Sequence, residues 1–330
     1  MRILVTGASG FVGSLLVPRL LCEGHAVRAL GRDPARVTAA LEGTSPDSGG
    51  DLSADVEVLR GDVLSGAGLA PALDGVEVAY YLIHSMEPSA SSPPSSPARS
   101  TAQDSFAERE QTSARNFAAA CSRAGVTRIV YLGGPLPRDR APSRHLASRQ
   151  SVEQILLQDI PGSVALRASI VIGARSRSFR LLVHLVERLP VLTLPAWRSF
   201  HTQPIDERDI VEMLLAAAAV PAVAGCSLDV AGPDVLTFED MISRIADLML
   251  VRRPVLGLGV NATPVAARLV AAIAAEDPEL VLPLMESLQG DLLAADDRAA
   301  ELLNVDLHSF DSAVEHALRE WEESEPLAAR

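Results

Sequence analysis

The stretch TGASGFVG, residues 6–13, decides the fold of this chain. It ends the apolar, β-branched run RILVTG, which is typical of a buried strand, and it precedes SLLVPRLLCEG, which has helical apolar spacing and ends at Gly24. Gly7, Gly10 and Gly13 stand in the spacing GxxGxxG, in which glycines permit a tight turn and a close approach of the backbone to a bound group. The stretch therefore predicts a strand, a glycine turn and a helix.

The same alternation of strands and helices continues along the chain. Further strands are predicted in AVRAL, VEVLRGDV, VEVAYYLIHSM, TRIVYLGG and SVALRASIVIGA, with helices near GLAPALDG and in FAEREQTSARNFAAACSRAG. Strands that alternate with helices of this length form parallel βαβ units. We therefore predict an α/β fold with a doubly wound parallel sheet over residues 1–175. A smaller, mostly helical region over residues 176–330 is expected to bind substrate and to interleave with the sheet domain.

Two stretches interrupt this pattern, at about residues 44–55 and 87–105. Both are rich in Ser, Pro and Gly and poor in apolar residues, so we predict mobile surface loops there. Near the C-terminus, TPVAARLVAAIAA and PELVLPLMESL are predicted helices. Packing over the first domain is the favoured role for them, and a dimer face or a lipid-facing patch is the alternative.

The composition argues against several classes of function. The formal net charge of -13 opposes binding to nucleic acid, and no apolar run reaches the length of a membrane span. Cys22, Cys121 and Cys226 form no CxxC pair, and no histidine stands at zinc-ligand spacing, so we expect neither disulfides nor a metal site. The N-terminus does not have the pattern of a signal peptide, which favours a cytoplasmic location. All 29 basic residues are arginines, which excludes lysine-based catalysis.

The glycine turn is typical of a dinucleotide-binding site. Backbone amides at the start of the following helix, together with the helix dipole, attract a pyrophosphate. The predicted contacts come from the turn and from the first turn of the helix: Gly7, Ser9, Gly10, Phe11, Val12 and Gly13.

NAD and NADP are usually distinguished at the end of the second strand, which here reads VRALGRDP. Arg32 offers a planar fork for a 2′-phosphate, and Arg28 is placed to assist it. Asp33 stands one position too late for the usual acidic contact to the ribose 2′-hydroxyl. We therefore expect NADP(H) to be preferred over NAD(H), with a solvated Arg32 as the alternative.

Four motifs follow one another in this sequence: YYLIHSM, NFAAACSRAGVTRIVYLGG, HLASR and LRASIVIGARSRSF. The same order is found in bacterial NAD(P)H-binding proteins, and the chain resembles the atypical, NmrA-like short-chain dehydrogenase/reductases to which they belong. The resemblance covers nearly the whole chain, including GPDVLTFEDMISRIA near the C-terminus. It implies a Rossmann-type fold with contacts to the adenine, to the ribose and pyrophosphate, and to the nicotinamide. The residues implied at the adenine are Asp62 and Val63. Those implied at the ribose and pyrophosphate are Leu82, His84 and Ser85, and those implied at the nicotinamide are Ser169 and Ile170.

The resemblance also identifies a substitution at the expected catalytic site. Conventional members use a serine or threonine after the fifth strand, a Tyr-x-x-x-Lys pair on the next helix and often an asparagine on the helix before. Asn116 matches the asparagine, but Gly133 or Gly134 replaces the hydroxyl residue, and His145 and Arg149 replace the tyrosine and the lysine. The usual proton relay is therefore missing.

His145 and Arg149 are four residues apart and so share one face of a helix. Histidine can donate a proton to a developing oxyanion or enolate near neutral pH. Arginine stays protonated and is suited to binding the hydroxyls of the nicotinamide ribose. The alternative is that this helix face only binds ribose.

The substitution favours an apolar substrate. Gly133 and Gly134 are expected to open space where a substrate carbonyl would sit, and Phe179, Trp197 and His201 are predicted to line the pocket, with core packing as the alternative for the aromatic residues. The leading hypothesis is an NADP(H)-dependent reductase, monomeric or homodimeric, that acts on a conjugated C=C bond or a carbonyl of an apolar small molecule. The alternatives are an NADP(H)-binding sensor or assembly protein without turnover, and a redox-neutral enzyme that retains its cofactor.

Overall fold

The computed structural model describes residues 1–42, 55–83, 99–257 and 290–324. The first half alternates strands and helices: β1 (Arg2–Thr6), α1 (Phe11–Cys22), β2 (Ala26–Gly31), α2 (Pro34–Glu42), β3 (Glu57–Arg60), α3 (Leu69–Leu73), β4 (Val78–Tyr81), α4 (Arg99–Ala124), β5 (Arg128–Gly133), α5 (Arg144–Asp159) and β6 (Val164–Ala168). The second half has shorter strands: β7 (Val171–Ile172), α6 (Arg177–Arg188), β8 (Leu192–Leu194), β9 (His201–Thr202), β10 (Ile205–Asp206), α7 (Glu207–Ala219), β11 (Ser227–Val230), β12 (Leu236–Thr237), α8 (Phe238–Leu248), β13 (Val255–Gly257), α9 (Arg298–Leu303) and α10 (Phe310–Ser324).

Seven strands form the main sheet, in the order β11-β6-β5-β4-β1-β2-β3. The pairs β1 with β2, β2 with β3, β1 with β4 and β4 with β5 are parallel. The strand order reverses between β1 and β4, which is where ligands bind in open sheets of this type. The predicted doubly wound α/β fold is therefore confirmed.

Helices cover both faces of the sheet. On one face, side chains of α3, α4 and α5 pack with sheet residues such as Leu4, Ile129 and Tyr131 in one buried apolar cluster. On the other face, the hydroxyl of the buried Tyr80 donates a hydrogen bond of 3.0 Å to the carbonyl of Leu214 in α7. Sheet residues are apolar on both faces because neither face meets water.

The chain forms two compact units. The first contains Met1–Gly133, Ser148–Leu166 and Val211–Leu228, and the second contains the remaining described residues. The expected boundary at residue 175 is not one of the points where the chain passes between them. The reason is that α7 and β11 return to the first unit after the chain has entered the second.

The second unit has its own apolar core, built from α6, α8, α10 and three two-stranded sheets. β7 pairs with β10 and β8 with β13 in parallel, whereas β9 pairs with β12 antiparallel. The core includes the fully buried Phe179, Phe238 and Trp321. Both tryptophans of the chain, Trp197 and Trp321, lie in this core.

Several sequence-based boundaries need correction. The predicted sixth strand is two strands, because β6 ends at Ala168 and β7 pairs with β10 outside the main sheet. Helix α4 begins at Arg99, so the end of the stretch 87–105 is helical and not a loop. The rest of that stretch, nearly all of 44–55, and the two C-terminal apolar segments lie outside the described residues. Within the described residues, no helix has both the length and the apolar character that crossing a membrane requires.

Candidate cofactor site

The glycine turn lies between β1 and α1, and two of its glycines are required by close contacts. Gly7 has φ of 75°, a left-handed conformation, and a Cβ there would lie 2.7 Å from the carbonyl oxygen of Leu82, just after β4. A Cβ on Gly13 would lie 2.3 Å from the carbonyl oxygen of Gly7. The missing side chains therefore let α1 and the end of β4 pack directly on the turn.

The start of α1 presents backbone donors. Gly10 occupies the N-cap with φ of -80° and ψ of 170°, and no described side chain caps the helix there. The amide of Gly10 donates to Gly7 at 2.9 Å, and the first intrahelical bond runs from Ser14 to Gly10. The amides of Phe11, Val12 and Gly13 precede that bond and have no acceptor within the helix. Such an amide group at a helix N-terminus binds an anion such as a pyrophosphate.

Arg32 and Asp33 follow β2 and have different partners. Asp33 caps α2, because its Oδ1 accepts from the amides of Ala35 at 3.1 Å and Arg36 at 3.4 Å. Its carboxylate is thus committed to the helix. Arg32 is exposed and makes no hydrogen bond or ion pair with the described part of the chain. A cation without a protein partner therefore lies where the two cofactors differ.

Arg28 does not assist Arg32, which corrects the sequence-based expectation. Its Nε donates to Glu57 at 2.6 Å, and its Nη1 donates to the carbonyls of Ala72 and Asp74 at the end of α3. These bonds hold the guanidinium between β3 and α3.

Asp62 and Val63 lie in the loop after β3. The Asp62 carboxylate accepts from the amides of Leu64 and Ser65, at 3.1 and 3.3 Å, and so shapes a tight turn. Asn116 on α4 donates from Nδ2 to the carbonyls of Val63 at 3.2 Å and Leu64 at 2.7 Å. This contact ties α4 to the loop after β3, and the expected catalytic role of Asn116 stays a prediction.

Arg149, at the position of the lysine in conventional members, is buried in α5. Its side chain is 5% exposed and lies 4.0 Å from the Glu110 carboxylate, whose side chain is 4% exposed. Ser148 donates to the same carboxylate at 2.7 Å. Sequence reasoning missed Glu110, because no spacing on α4 indicates that it faces α5. A charge buried at this depth needs such a partner.

Tyr131 on β5 completes this group. Its hydroxyl donates to the main-chain carbonyl of Arg149 at 3.3 Å. Burial raises the pKa of Tyr131 to about 12, and the Arg149 guanidinium acts in the opposite direction. The phenol is therefore a protonated, buried group.

Gly133 does not open space for a substrate, contrary to the sequence-based expectation. Residues two apart on a strand share a face, and the ring of Tyr131 extends along β5 toward Gly133. A Cβ on Gly133 would lie 2.8 Å from Cε1 of that ring. The glycine therefore makes room for Tyr131.

The matched family agrees with this geometry. Residues 7–169, which include the glycine turn, α4 and α5, match a family model described as NAD(P)H-binding. The match identifies residues 7–169 as an NAD(P)H-binding domain. Its parallel sheet and glycine turn are the expected features of such a domain.

Curated relatives match this chain over short segments. A 3 beta-hydroxysteroid dehydrogenase/Delta 5-->4-isomerase of Mycobacterium tuberculosis is 34% identical over 130 residues, which are 39% of this chain and 30% of the relative. A dihydroflavonol 4-reductase of Zea mays is 69% identical over 35 residues, which are 11% of this chain and 10% of the relative. The matches thus span less than a third of these relatives.

Solved structures share the fold over nearly the whole chain. A UDP-glucuronic acid 4-epimerase from Bacillus cereus, in complex with a UDP-sugar and NAD, has a TM-score of 0.72, with 18% identity over 98% of this chain and 100% of that one. The protein gox2253 has a TM-score of 0.70, with 19% identity over 99% of both chains. At these identities the likeness establishes the fold.

Of the remaining candidates, Leu82 lies in the first unit, and the others lie in the second unit or outside the described residues. His145 is half-buried in the first turn of α5, and a Cβ on Gly134 would lie 3.0 Å from Cδ2 of Leu146. His84 and Ser85 lie outside the described residues. Their neighbour Leu82 is buried, with its backbone against Gly7.

Phe179 and Trp197 are core residues, which corrects their assignment to a substrate pocket. Phe179 is 0% exposed, and Trp197 packs edge to face on Phe238 with ring centroids 5.9 Å apart. Aromatic residues in an irregular segment look the same in sequence whether they face a pocket or a core. The structure places both in the apolar core of the second unit.

His201, Ser169 and Ile170 are less enclosed. Nδ1 of His201 lies 3.2 Å from the Asp291 carboxylate, and 44% of the histidine side chain is exposed. The Ser169 hydroxyl shares a hydrogen bond of 2.7 Å with Thr202. Ile170 is half-buried against the core, and its carbonyl accepts from Ile205. Each therefore keeps its place as a candidate.

Proposed function

We propose that this chain is an NADP(H)-dependent reductase that acts on an apolar small molecule, at a conjugated C=C bond or a carbonyl. The observation that carries the choice of cofactor is the pair of neighbours after β2. Asp33 is committed to capping α2, and Arg32 is exposed and has no partner among the residues that the structure describes. An arginine fork suits a 2′-phosphate, and a ribose 2′-hydroxyl would need the carboxylate that Asp33 does not supply.

The proposed acid is His145. The tyrosine of conventional members is replaced by this histidine, and Tyr131 is buried with a raised pKa, which makes it a poor proton donor. Histidine is suited to proton donation near neutral pH. Arg149, one helical turn further along α5 and enclosed with Glu110, is proposed to supply positive charge near the site.

Two relatives support the choice of an apolar substrate. The names of these relatives refer to a hydroxysteroid and to a dihydroflavonol, both of which are polycyclic molecules with large apolar ring surfaces. We extend that class of substrate to this chain, although the matched segments are short. Gly134, Ser169, Ile170 and His201 remain the candidates for contacts to the cofactor or the substrate.

The test follows NADPH oxidation by absorbance, across a panel of enones, quinones and aldehydes, with NADH in parallel. We expect at least one apolar acceptor to be reduced faster with NADPH than with NADH. His145→Ala should lower turnover by about 10²- to 10⁴-fold and leave NADPH affinity nearly unchanged. Tight NADPH binding without oxidation of any acceptor would contradict the reductase.

One observation favours a second candidate, an NADP(H)-binding sensor or assembly protein without turnover. The lysine position of conventional members is occupied by an arginine that is enclosed with Glu110 and cannot shuttle a proton. A redox-neutral enzyme that retains its cofactor is the third candidate. Cofactor that copurifies and resists exchange supports the third, and exchangeable NADPH that is never oxidised supports the second.

A further inference from the structure

Three side chains with metal-binding atoms meet in the second unit, at the end of β10. Glu207 is the first residue of α7, and His316 and Glu320 stand four apart on α10, on one face of that helix. Each offers one ligand atom, and these three atoms lie within 4.8 Å of one another. Within the described residues, no other group of three such side chains meets in this way.

One carboxylate oxygen of the buried Glu207 lacks a hydrogen bond within the described residues. Its side chain is 4% exposed, and its Oε1 lies 3.5 Å from Nε2 of His316. Its other oxygen, Oε2, is buried and makes no hydrogen bond with the described residues. Buried carboxylate oxygens are normally paired, so an unpaired one points to a missing ligand. Burial raises the pKa of Glu207 to about 7, in agreement with incomplete compensation of its charge.

The neighbouring carboxylates are satisfied, which sets Glu207 apart. Asp206 binds the guanidinium of Arg208 through contacts of 3.0 and 2.5 Å. Asp209 accepts from the amide of His308 at 2.9 Å and lies 2.5 Å from its Nδ1. Arg208 is turned toward Asp206 and Ser312 and makes no hydrogen bond with Glu207 within the described residues.

The donor set is one imidazole nitrogen and two carboxylate oxygens. Zinc accepts this mixture at bond lengths of about 2.0–2.2 Å, whereas calcium and magnesium prefer oxygen alone. Tetrahedral bonds of that length separate neighbouring ligand atoms by about 3.4 Å. The contact between Glu207 and His316 is already close to this separation. Glu320 is only half-buried, so its side chain can close the remaining distance.

We propose that Glu207, His316 and Glu320 bind one Zn²⁺ ion, with water in the fourth position. The sequence did not predict a metal site because Glu207 is far from His316 along the chain. Such an ion would join the start of α7 to the C-terminal helix α10. The proposal is independent of the cofactor and of the proposed reductase, because it requires neither NADP(H) binding nor turnover.

The test uses the untagged full chain after removal of metals with a chelator. Titration calorimetry with Zn²⁺ should give one ion per chain, and Zn²⁺ should raise the melting temperature measured by tryptophan fluorescence. Co²⁺ in its place should give the intense visible absorption of a tetrahedral site. Affinity should fall as pH falls from 8 to 6, since zinc competes with protons for the ligands.

Three variants separate this site from adventitious binding. Glu320→Gln and His316→Gln should each weaken Zn²⁺ binding by at least about 100-fold, more than the usual loss of a second-shell partner. Glu315→Gln, an exposed residue on the same helix, is the matched control and should bind as the parent does. Absence of 1:1 binding, or equal affinity in all three variants, would overturn the proposal. Because Glu320 is half-buried, its variant should still fold, as circular dichroism can verify.

Discussion

Replacement of Arg149 by methionine should destabilise the first unit strongly. The structure encloses the guanidinium and the Glu110 carboxylate at 4.0 Å, with both side chains about 95% buried. Arg149→Met keeps most of the apolar stem but leaves the carboxylate with Ser148 as its hydrogen-bond donor at 2.7 Å. Removing one partner of a buried ion pair costs about 3–5 kcal/mol, mainly because the other charge stays desolvated.

The loss of stability in Arg149→Met should depend on the charge of Glu110. Glu110→Gln removes that charge and keeps a group that can pair with Ser148, so the double variant Glu110→Gln/Arg149→Met should recover part of the loss. A coupling energy of about 1–3 kcal/mol is expected for side chains in contact.

The assay is urea unfolding followed by far-ultraviolet circular dichroism and, separately, by tryptophan fluorescence. Both tryptophans lie in the second unit, so fluorescence reports on that unit and circular dichroism on the whole chain. We expect Arg149→Met to lower the urea midpoint more when unfolding is followed by circular dichroism than when it is followed by tryptophan fluorescence. A loss below about 1 kcal/mol in Arg149→Met, or strictly additive effects in the double variant, would refute the reasoning.

Three further predictions concern the cofactor, the acid and the dependence on pH. Arg32→Ala should raise the dissociation constant of NADPH by about 10- to 100-fold, for a lost contact of about 1.5–3 kcal/mol, and should hardly change that of NADH. Asp33→Ala removes a helix cap, so it should lower the free energy of unfolding by about 1 kcal/mol and leave the preference for NADPH unchanged. A His145→Ala enzyme should lose turnover, and the parent's activity should fall as pH rises through the pKa of the acid; parental turnover in the variant would mean that water or substrate supplies the proton. In the metal-free chain, the melting temperature measured by fluorescence should fall as pH rises from about 5 to 8. The pKa values of Glu207 and His316 are raised in the folded state, so the protons that stabilise it are lost over this range. Glu207→Gln should flatten this pH profile, and a flat profile in the parent would contradict the role of the pair.

The strands and the glycine turn could be predicted because they depend on local patterns. Apolar runs, glycine spacing and helical periodicity are set by neighbouring residues, and Gly7 and Gly13 lie in the tight turn that their spacing predicts. Strand β11 was missed because only four residues form it, between the turn at Gly225 and the segment 231–234, which contains a glycine and a proline. Its place in the sheet comes from tertiary pairing that no local pattern records.

The candidate site was harder to predict where partners come from distant segments. Glu110 and Arg149 lie on different helices, and the contact of Tyr131 with Gly133 depends on the direction of one ring. Phe179 and Trp197 were placed in a pocket because an irregular apolar segment does not indicate which side faces a core. Spacing on one helix could relate His145 to Arg149, but it could not reveal that Arg149 is enclosed.

The most direct test of the account is titration calorimetry of the unmodified chain with NADPH and with NADH, under the same buffer and salt. The account predicts one NADPH per chain, bound at least about tenfold more tightly than NADH, because a 2′-phosphate gains a charge-assisted contact with Arg32. Equal affinity for the two cofactors would contradict the proposed preference. Binding of neither would contradict the assignment of the glycine turn as the cofactor site.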